Sequence, residues 1–174
     1  MRPILFACTI LLAAPAFAQS PSPPSPPPAC AETERGQFDF WVGRWDVYPT
    51  GKDKLVAHSL IEKLYGGCAI RENWMPLSGG SGGSLSAWNP KTGKWHQTWV
   101  DANGATVLFD GAFADGTMAL DGNWANVIAP GKDGVVRMRY RHNPDGSVRQ
   151  WGEVTQDGGK SWPPSFDFTY KPAS

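Results

Sequence analysis

Two glutamates fall among apolar residues in segments whose side chains alternate as they do in β-strands. Alternation places Glu72 on one face with Ile70 and Trp74, and it places Glu62 between two leucines. Burial of an unpaired carboxylate is costly, so such a group is hydrogen-bonded, solvated inside a cavity, or protonated with a raised pKa. Both glutamates are therefore candidates for contact with a ligand. The alternative is that they hydrogen-bond to indole N–H groups or an arginine and only hold the structure together.

The same two glutamates suggest proton-transfer chemistry. A desolvated Glu62 or Glu72 with a raised pKa is suited to general acid–base work in an isomerase, cyclase, lyase or decarboxylase. Alternation places no His or Lys beside either of them. The sequence therefore assigns no catalytic residue and leaves open whether the protein is an enzyme. The main prediction is passive binding of a small molecule, and a structural or interaction module is a further alternative.

Aromatic residues supply the rest of the candidate site. The chain has nine tryptophans, which is more than the packing of one small domain requires. Aromatic walls with a few polar groups are the usual composition of a small-molecule pocket. We therefore predict a small hydrophobic or aromatic molecule as the binding partner. The predicted ligand-binding residues, which alternation places on inner faces, are Trp45, Glu62, Glu72, Trp74, Trp88, Gln97 and Trp99.

The sequence lacks the motifs that would indicate metal or cofactor chemistry. His58, His96 and His142 are isolated, with no His-x-His or Cys-x-x-Cys spacing, so no metal site is predicted. No glycine-rich loop precedes a helix and no Gly-x-Ser-x-Gly elbow occurs, so no cofactor is predicted. Sixteen basic and sixteen acidic residues leave no net charge, which argues against nucleic-acid binding because that needs a basic face.

The first part of the chain is typical of an exported protein. Residues 1–18 have a positive start, an apolar run from Ile4 to Ala14 and a small-x-small cleavage site ending at Ala18, which together indicate a signal peptide. Residues 19–33 are rich in proline and form a predicted linker, and residues 34–174 form the predicted domain. No later stretch has the roughly 18 apolar residues of a membrane helix. We expect a periplasmic or secreted location without membrane insertion.

From Phe40 onward, runs with period-two alternation follow one another and are separated by Gly, Asn, Asp or Pro. The short turns indicate a meander, and closure of the sheet would remove its two open edges. We predict an all-β fold, a single antiparallel up-and-down barrel of eight to ten strands, over a two-sheet sandwich. The predicted strands are Val42 to Tyr48, Leu55 to Leu64, Cys68 to Trp74, Ser84 to Asn89, Lys94 to Asp101, Thr106 to Ala112, Thr117 to Leu120, Val135 to His142, Val148 to Thr155 and Ser165 to Lys171.

Several segments carry a resemblance to a known family. Phe38 to Val47, with its Gly-x-Trp, resembles the barrel-closing signature of lipocalin-like (calycin-type) folds. Together with Gly67 to Trp74, Lys94 to Asp101 and Asp157 to Trp162, it resembles a family of exported bacterial proteins of unknown function with a lipocalin-like domain. The resemblance implies a barrel and an export route, and no established reaction. Some calycin-type barrels bind haem through a His on the last strand, and Phe166 to Tyr170 contains none, so no haem is expected.

Removal of the signal segment would leave two cysteines, and the sequence allows two states for them. Cys30 and Cys68 either form a disulfide in an oxidising compartment, or Cys68 is a buried small hydrophobe and Cys30 lies free in the linker.

Three further features concern surfaces and loops. Arg137, Arg139 and Arg141 share one face of a strand, which indicates a solvated outer face. Thr155 to Trp162 matches a single Asp-box pattern, which we interpret as a hairpin turn held by an aspartate. Trp124 and the glycine-rich loop from Ser78 to Gly83 are expected at a barrel mouth, the loop as a lid or a plain connection.

Overall fold

In a computed structural model of the protein, the segments with period-two alternation form consecutive hairpins, and the sheet that they make closes into a barrel. The structure describes residue 30 and residues 32 to 173, so the predicted signal peptide and residues 19–29 of the predicted linker lie outside the described residues. In the described part, ten strands pair in chain order, every pair antiparallel, and β10 pairs with β1. The predicted all-β, up-and-down antiparallel barrel is confirmed. The strands are β1 (Gly43–Pro49), β2 (Ala57–Leu64), β3 (Ala69–Pro76), β4 (Gly82–Asn89), β5 (Lys94–Asp101), β6 (Thr106–Ala114), β7 (Thr117–Ala129), β8 (Lys132–His142), β9 (Val148–Thr155) and β10 (Pro164–Pro172).

The largest difference from the predicted boundaries is in β7. The expected strand ended at Leu120, whereas β7 continues to Ala129 and carries an irregularity in its pairing with β8. Asn126 has a left-handed φ of 59° there. The backbone N–H of Asn126 donates to Asp133 at 2.8 Å, and its own side-chain oxygen accepts from the N–H of Gly131 at 2.6 Å. The irregularity comes only after Trp124, and pairing with β8 is regular up to that residue. The three residues that follow Leu120, Asp-Gly-Asn, are typical of turns and interrupt the apolar alternation that the prediction used.

One end of the barrel, here called the closed end, is filled by the segment that precedes β1. Two 3₁₀ turns, Thr33–Gly36 and Asp39–Trp41, lead into the first strand. They place Phe38 and Trp41 inside the barrel, where both side chains are fully buried and their rings stack with centroids 4.9 Å apart. The segment with these two turns therefore carries the residues that close this end.

The Gly-x-Trp pattern has a direct physical cause at the closed end. Trp45 is buried, and its indole N–H donates to the carbonyl of Trp41 at 2.8 Å. A Cβ on Gly43 would lie 3.2 Å from the Trp45 ring, and Gly43 has a φ of 155° that other residues rarely adopt. Glycine at this position lets the indole fold back over the strand.

A disulfide ties the start of the described chain to the closed end. Cys30 is bonded to Cys68 across 38 residues, with the Cα atoms 5.1 Å apart. Cys68 follows a third 3₁₀ turn, Tyr65–Gly67, and directly precedes β3. Of the two states that the sequence allowed for the cysteines, the structure has the bridged one.

The turn between β9 and β10 lies at the other end, here called the open end. Asp157 accepts hydrogen bonds from the backbone N–H groups of Lys160 and Ser161 at 2.9 and 3.0 Å and from the Ser161 hydroxyl at 2.7 Å. These bonds, led by the one from Ser161, hold the pKa of Asp157 well below its usual range. The interpretation of the Asp-box segment as a hairpin turn held by an aspartate is confirmed.

The arginine-bearing strand also has the predicted orientation. Arg137, Arg139 and Arg141 lie on the outer face of β8, while Val136, Met138 and Tyr140 on the same strand are buried. Asp121 on the neighbouring strand accepts a hydrogen bond from Arg139 at 3.0 Å. The face is a solvated surface with local ion pairing.

Candidate functional site

A cavity of about 210 Å³ lies between the closed-end aromatic residues and the open end of the barrel. Six strands, β3, β5 and β7 to β10, contribute to it, because inward-facing positions converge on the barrel axis. Most of the lining side chains are aromatic, two of them tyrosines, and Glu72, Gln97 and Gln150 supply the other polar groups. The lining residues are Glu72, Trp74, Gln97, Trp99, Trp124, Met138, Tyr140, Gln150, Phe166, Phe168 and Tyr170.

The walls toward the open end are built by large rings packed against glycines. A Cβ on Gly152 would lie 2.2 Å from the Phe166 ring, and one on Gly82 would lie 2.5 Å from the Trp99 ring. Trp99 in turn lies beside Trp124, with centroids 6.5 Å apart. The inward glycines therefore leave room for rings of neighbouring strands to lie flat along the wall, which keeps the centre open.

The floor of the cavity, toward the closed end, is a hydrogen-bonded set of buried polar groups. The side-chain N–H of Gln150 donates to the Tyr140 hydroxyl at 3.1 Å, and the Tyr170 hydroxyl donates to the Gln150 oxygen. Gln97 donates to the Ser86 hydroxyl at 3.0 Å. The two amide side chains and both tyrosines are thus paired with one another or with a neighbouring strand.

Glu72 is the one carboxyl group of this floor, and it is buried. The carboxylate accepts hydrogen bonds from Ser84 at 3.1 Å and from Ser59 at 3.4 Å, and the residue is 5% exposed. Burial raises the pKa of Glu72 from its ordinary value near 4.5 to about 7, and the two serine hydroxyls offset only part of that rise. At neutral pH the carboxyl group is therefore near its titration midpoint.

The negative charge of Glu72 also affects the pKa values of Tyr140 and Tyr170. Burial raises the pKa of the Tyr140 hydroxyl, and the negative charge of Glu72 raises it further. The pKa of Tyr170 is raised by the same two causes in the same order. Both phenols therefore stay neutral hydrogen-bonding groups across the ordinary pH range.

The raised pKa of Glu72 predicts a pH-dependent stability. A carboxyl group with a higher pKa in the folded than in the unfolded state favours folding fully only below its unfolded pKa, and the advantage is lost as pH rises through the folded pKa. Raising the pH from 4.5 to 8 should therefore lower this group's contribution to the free energy of unfolding by about 2 to 3 kcal/mol. Denaturant melts across that range, compared between the wild type and Glu72→Gln, isolate the contribution because glutamine does not titrate.

Glu62→Gln is the matched control for these melts. It removes a carboxylate of the same type from the adjacent strand, where Glu62 pairs with Arg71 on the outside of the barrel. Its melts should follow the wild-type pH dependence. A Glu72→Gln protein with the same pH slope as the wild type would show that Glu72 titrates normally.

The structure brings together four of the seven residues predicted from sequence. Glu72, Trp74, Gln97 and Trp99 all line the cavity. Their two strands, β3 and β5, alternate as expected, with the intervening residues on the outer face. The prediction that these residues bind a ligand stays a prediction.

Two of the predicted tryptophans face inward at the closed end and do not line the cavity. Trp45 packs against Tyr170 with centroids 6.4 Å apart. Trp88 lies 6.4 Å from Trp95 by the same measure, and its carbonyl accepts from Arg35 at 3.1 Å. Alternation identified their face correctly, but it carries no information about depth along the barrel axis.

The prediction that Glu62 faces the interior is wrong. The inward residues of β2 are Ala57, Ser59 and Ile61, and Glu62 lies half-buried on the outer face. Leu60 and Leu64 share that outer face. The prediction took them as evidence for an inward face, but both faces of β2 carry two apolar residues. Strand pairing sets the face instead.

Sequence reasoning missed the contribution of the last three strands. Met138, Tyr140, Gln150, Phe166, Phe168 and Tyr170 line the cavity and were not among the candidates. On β8 and β10 the signal was present, since the lining residues of each strand lie two positions apart, whereas Gln150 is the single lining residue of β9. Trp124 was expected near a barrel mouth, and it lies in the cavity wall. The turn between β3 and β4, which contains most of the Ser78 to Gly83 loop, is at the open end.

The outer surface carries a group of exposed apolar side chains on adjacent strands. Leu85, Val100 and Leu108 are 44%, 48% and 69% exposed on β4, β5 and β6, and Tyr65 in the turn before β3 is 72% exposed. This surface is the feature that bears on the alternative of an interaction module, which stays a prediction.

In the part of the chain that the structure describes, no three His, Cys, Asp or Glu side chains come close enough to hold a metal ion. No helix among the described residues is long and apolar enough to cross a membrane.

No family model matches the sequence, and no curated protein matches it. The closed antiparallel barrel is compatible with a lipocalin-like fold. Membership in the exported bacterial family that the sequence resembles stays a prediction.

Proposed function

We propose that the protein is an exported barrel that binds one small, mostly apolar molecule in its cavity. The observation that carries the proposal is the composition of the cavity, in which aromatic walls end in a small cluster of polar groups. That composition is typical of small-molecule sites, where apolar walls supply affinity and a few polar groups orient the ligand. The apolar part of the ligand would lie against Trp74 and Trp99, and its polar end against Glu72 and Gln97.

The volume limits the size of the ligand. A buried apolar cavity of about 150 Å³ holds benzene, and drug-sized ligands need roughly 300 Å³ or more. The present cavity of about 210 Å³ lies between those limits. We infer a molecule with one aromatic ring, or an aliphatic group of similar size, and a short polar tail. A sterol is too large.

The disulfide supports the export part of the proposal. Disulfides persist in oxidising compartments such as the periplasm or the extracellular space and are rare in the cytosol. The Cys30–Cys68 bridge is therefore the state expected of a chain whose first 18 residues are a signal peptide.

Binding should be visible in tryptophan fluorescence. We expect 2-phenylethanol, which has one ring and one hydroxyl group, to change the emission saturably because Trp74, Trp99 and Trp124 line the cavity. Trp99→Phe should reduce the amplitude. Trp151→Phe should leave the amplitude unchanged, because Trp151 lies on the outer face of β9. There the guanidinium carbon of Arg149 is 4.7 Å from the centroid of the Trp151 ring. No saturable response to any of 2-phenylethanol, phenethylamine, phenylacetate and toluene would contradict the proposal.

Proton transfer is the second candidate function, and one observation favours it. Glu72 has a pKa of about 7 in a cavity that also presents the hydroxyl groups of Tyr140 and Tyr170. A neutral phenol beside a carboxylate can donate a hydrogen bond to a developing oxyanion while the carboxylate moves a proton. An activity that survives Glu72→Gln would place the chemistry elsewhere.

A further inference from the structure

Glu72 is a buried carboxylate without a counter-charge. No Lys, Arg or His is among the residues that line the cavity. The cations of the described residues that pair with carboxylates do so on the outer surface or at the barrel ends, as Arg71 does with Glu62 and Lys63 with Asp39. Buried charges in folded proteins are normally paired, because an unpaired one loses its hydration without compensation.

The other buried polar side chains at the level of the cavity are all neutral. The residues are Ser59 from β2, Ser84 and Ser86 from β4, Gln97 from β5, Tyr140 from β8, Gln150 from β9 and Tyr170 from β10. The tyrosines are the titratable members of this set, and the raised pKa of each keeps it neutral. The partner that would balance an ionised Glu72 is therefore not supplied by these residues.

Each amide side chain of the floor, and the Tyr170 hydroxyl, already donates to a neighbouring group. Gln150 donates to Tyr140, Tyr170 donates to Gln150, and Gln97 donates to Ser86. Glu72 keeps two serine hydroxyls, one of them at 3.4 Å. A carboxylate has about four lone-pair sites, so the oxygens of Glu72 retain capacity to accept. A donor on the ligand would complete its coordination, whereas an anionic ligand group would face a like charge.

The walls also suit a positive charge. The faces of tryptophan, tyrosine and phenylalanine rings attract cations, most strongly when the site is desolvated. Trp74, Trp99 and Trp124 line the cavity together with Phe168. The indole N–H of Trp99 is buried without a partner among the described residues, and it is an uncharged donor in the wall. An aromatic enclosure with one carboxylate and no cation is suited to an organic ammonium group.

We propose that the ligand of this cavity is a small organic amine whose protonated nitrogen pairs with the carboxylate of Glu72 while its apolar group lies between the tryptophans. The proposal rests on the proposed binding function and names the chemical class of the ligand. A primary or secondary amine on a single ring with a short chain matches both the volume and the charge. The ammonium group donates to Glu72, and the cavity walls exclude water from the pair.

The test compares three probes that share one ring and differ in the charge of the tail: phenethylamine, 2-phenylethanol and phenylacetate. Calorimetric titration at pH 7.5 should give phenethylamine an affinity at least about tenfold higher than 2-phenylethanol, as charge-assisted hydrogen bonds are about twice as strong as neutral ones. Phenylacetate should bind weakest. In Glu72→Gln the advantage of the amine should disappear while 2-phenylethanol still binds. Glu62→Gln, the matched outer-face control, should bind all three as the wild type does.

A second measurement needs no variant and so does not depend on the folding of Glu72→Gln. At pH 6.5 most of Glu72 is protonated, because burial raises its pKa to about 7. Binding of an ammonium group should expel that proton, so titrations in buffers of different ionisation enthalpy should show release of more than about half a proton per phenethylamine bound. 2-Phenylethanol should release none.

The outcomes separate this inference from the proposed function. Equal affinity for phenethylamine and 2-phenylethanol, or an amine preference that persists in Glu72→Gln, overturns the amine proposal and leaves the binding function standing. Binding of phenethylamine to wild type without proton release at any pH between 4.5 and 7.5 also overturns it. Failure of all three probes and of toluene to bind overturns the proposed function itself.

Discussion

Replacement of Trp45 by alanine should lower the free energy of unfolding by about 3 to 5 kcal/mol, the range typical of large aromatic truncations in a core. Trp45 is 6% exposed, packs against Tyr170 and donates its indole N–H to the carbonyl of Trp41 at 2.8 Å. The substitution removes the ring from the closed end, leaves a cavity and deprives a buried carbonyl of its side-chain donor. Urea melts with two independent probes measure the loss and test whether unfolding stays two-state.

Trp151→Ala is the control for this substitution. Trp151 lies half-buried on the outer face of β9, where the Arg149 guanidinium contacts its ring. Loss of an exposed cation–π contact and of partial burial should cost about 1 kcal/mol. A Trp45→Ala protein that loses less than about 1 kcal/mol would show that the closed end can repack around the missing ring.

Removal of the disulfide should have the next largest effect, about 3 to 4 kcal/mol. The bridge closes a loop of 38 residues, and the loss of chain entropy in the unfolded state grows with the logarithm of loop length. The double variant Cys30→Ser/Cys68→Ser avoids a free thiol. Its urea midpoint should be lower than that of the wild type, with a larger m-value because a chain without the cross-link exposes more surface on unfolding.

Reductant provides the control for the disulfide. Dithiothreitol should lower the stability of the wild type toward that of the double variant and should have no effect on the double variant itself. Wild-type stability that is the same with and without reductant, in a protein whose thiols are shown to be reduced, would mean that the bridge constrains the unfolded chain too little to matter.

The amino-acid sequence was sufficient to predict the architecture. Runs with period two, separated by turn residues at short intervals, leave little alternative to consecutive antiparallel hairpins, and closure is the simplest way to protect both edges. The boundaries of β5 and β9 agree with the prediction residue for residue. The largest exception is β7, where the turn-type residues Asp-Gly-Asn after Leu120 interrupt the apolar pattern although the strand continues through them.

The faces of the strands were predictable only where the two faces differ in polarity. In β3 the faces differ clearly, and Glu72 and Trp74 were assigned correctly to the interior. In β2 both faces carry apolar residues, so alternation alone was ambiguous and Glu62 was assigned to the wrong one. The pairing register with β1 and β3 resolves the ambiguity, and register is a property of the assembled sheet.

Depth along the barrel axis and long-range proximity were decided by the tertiary structure alone. Trp45 and Trp99 are both inward tryptophans, yet one fills the closed end and the other lines the cavity, because closure fixes how far each strand is staggered along the axis. Sequence patterns contain the period of a strand but not its stagger relative to distant strands. The same closure brings Cys30 to Cys68 and sets Tyr170, near the end of the chain, beside the carboxylate of Glu72. The sequence therefore determined the strands, their order and many of the side chains that face inward. Only the closed barrel determined which of those side chains share a cavity.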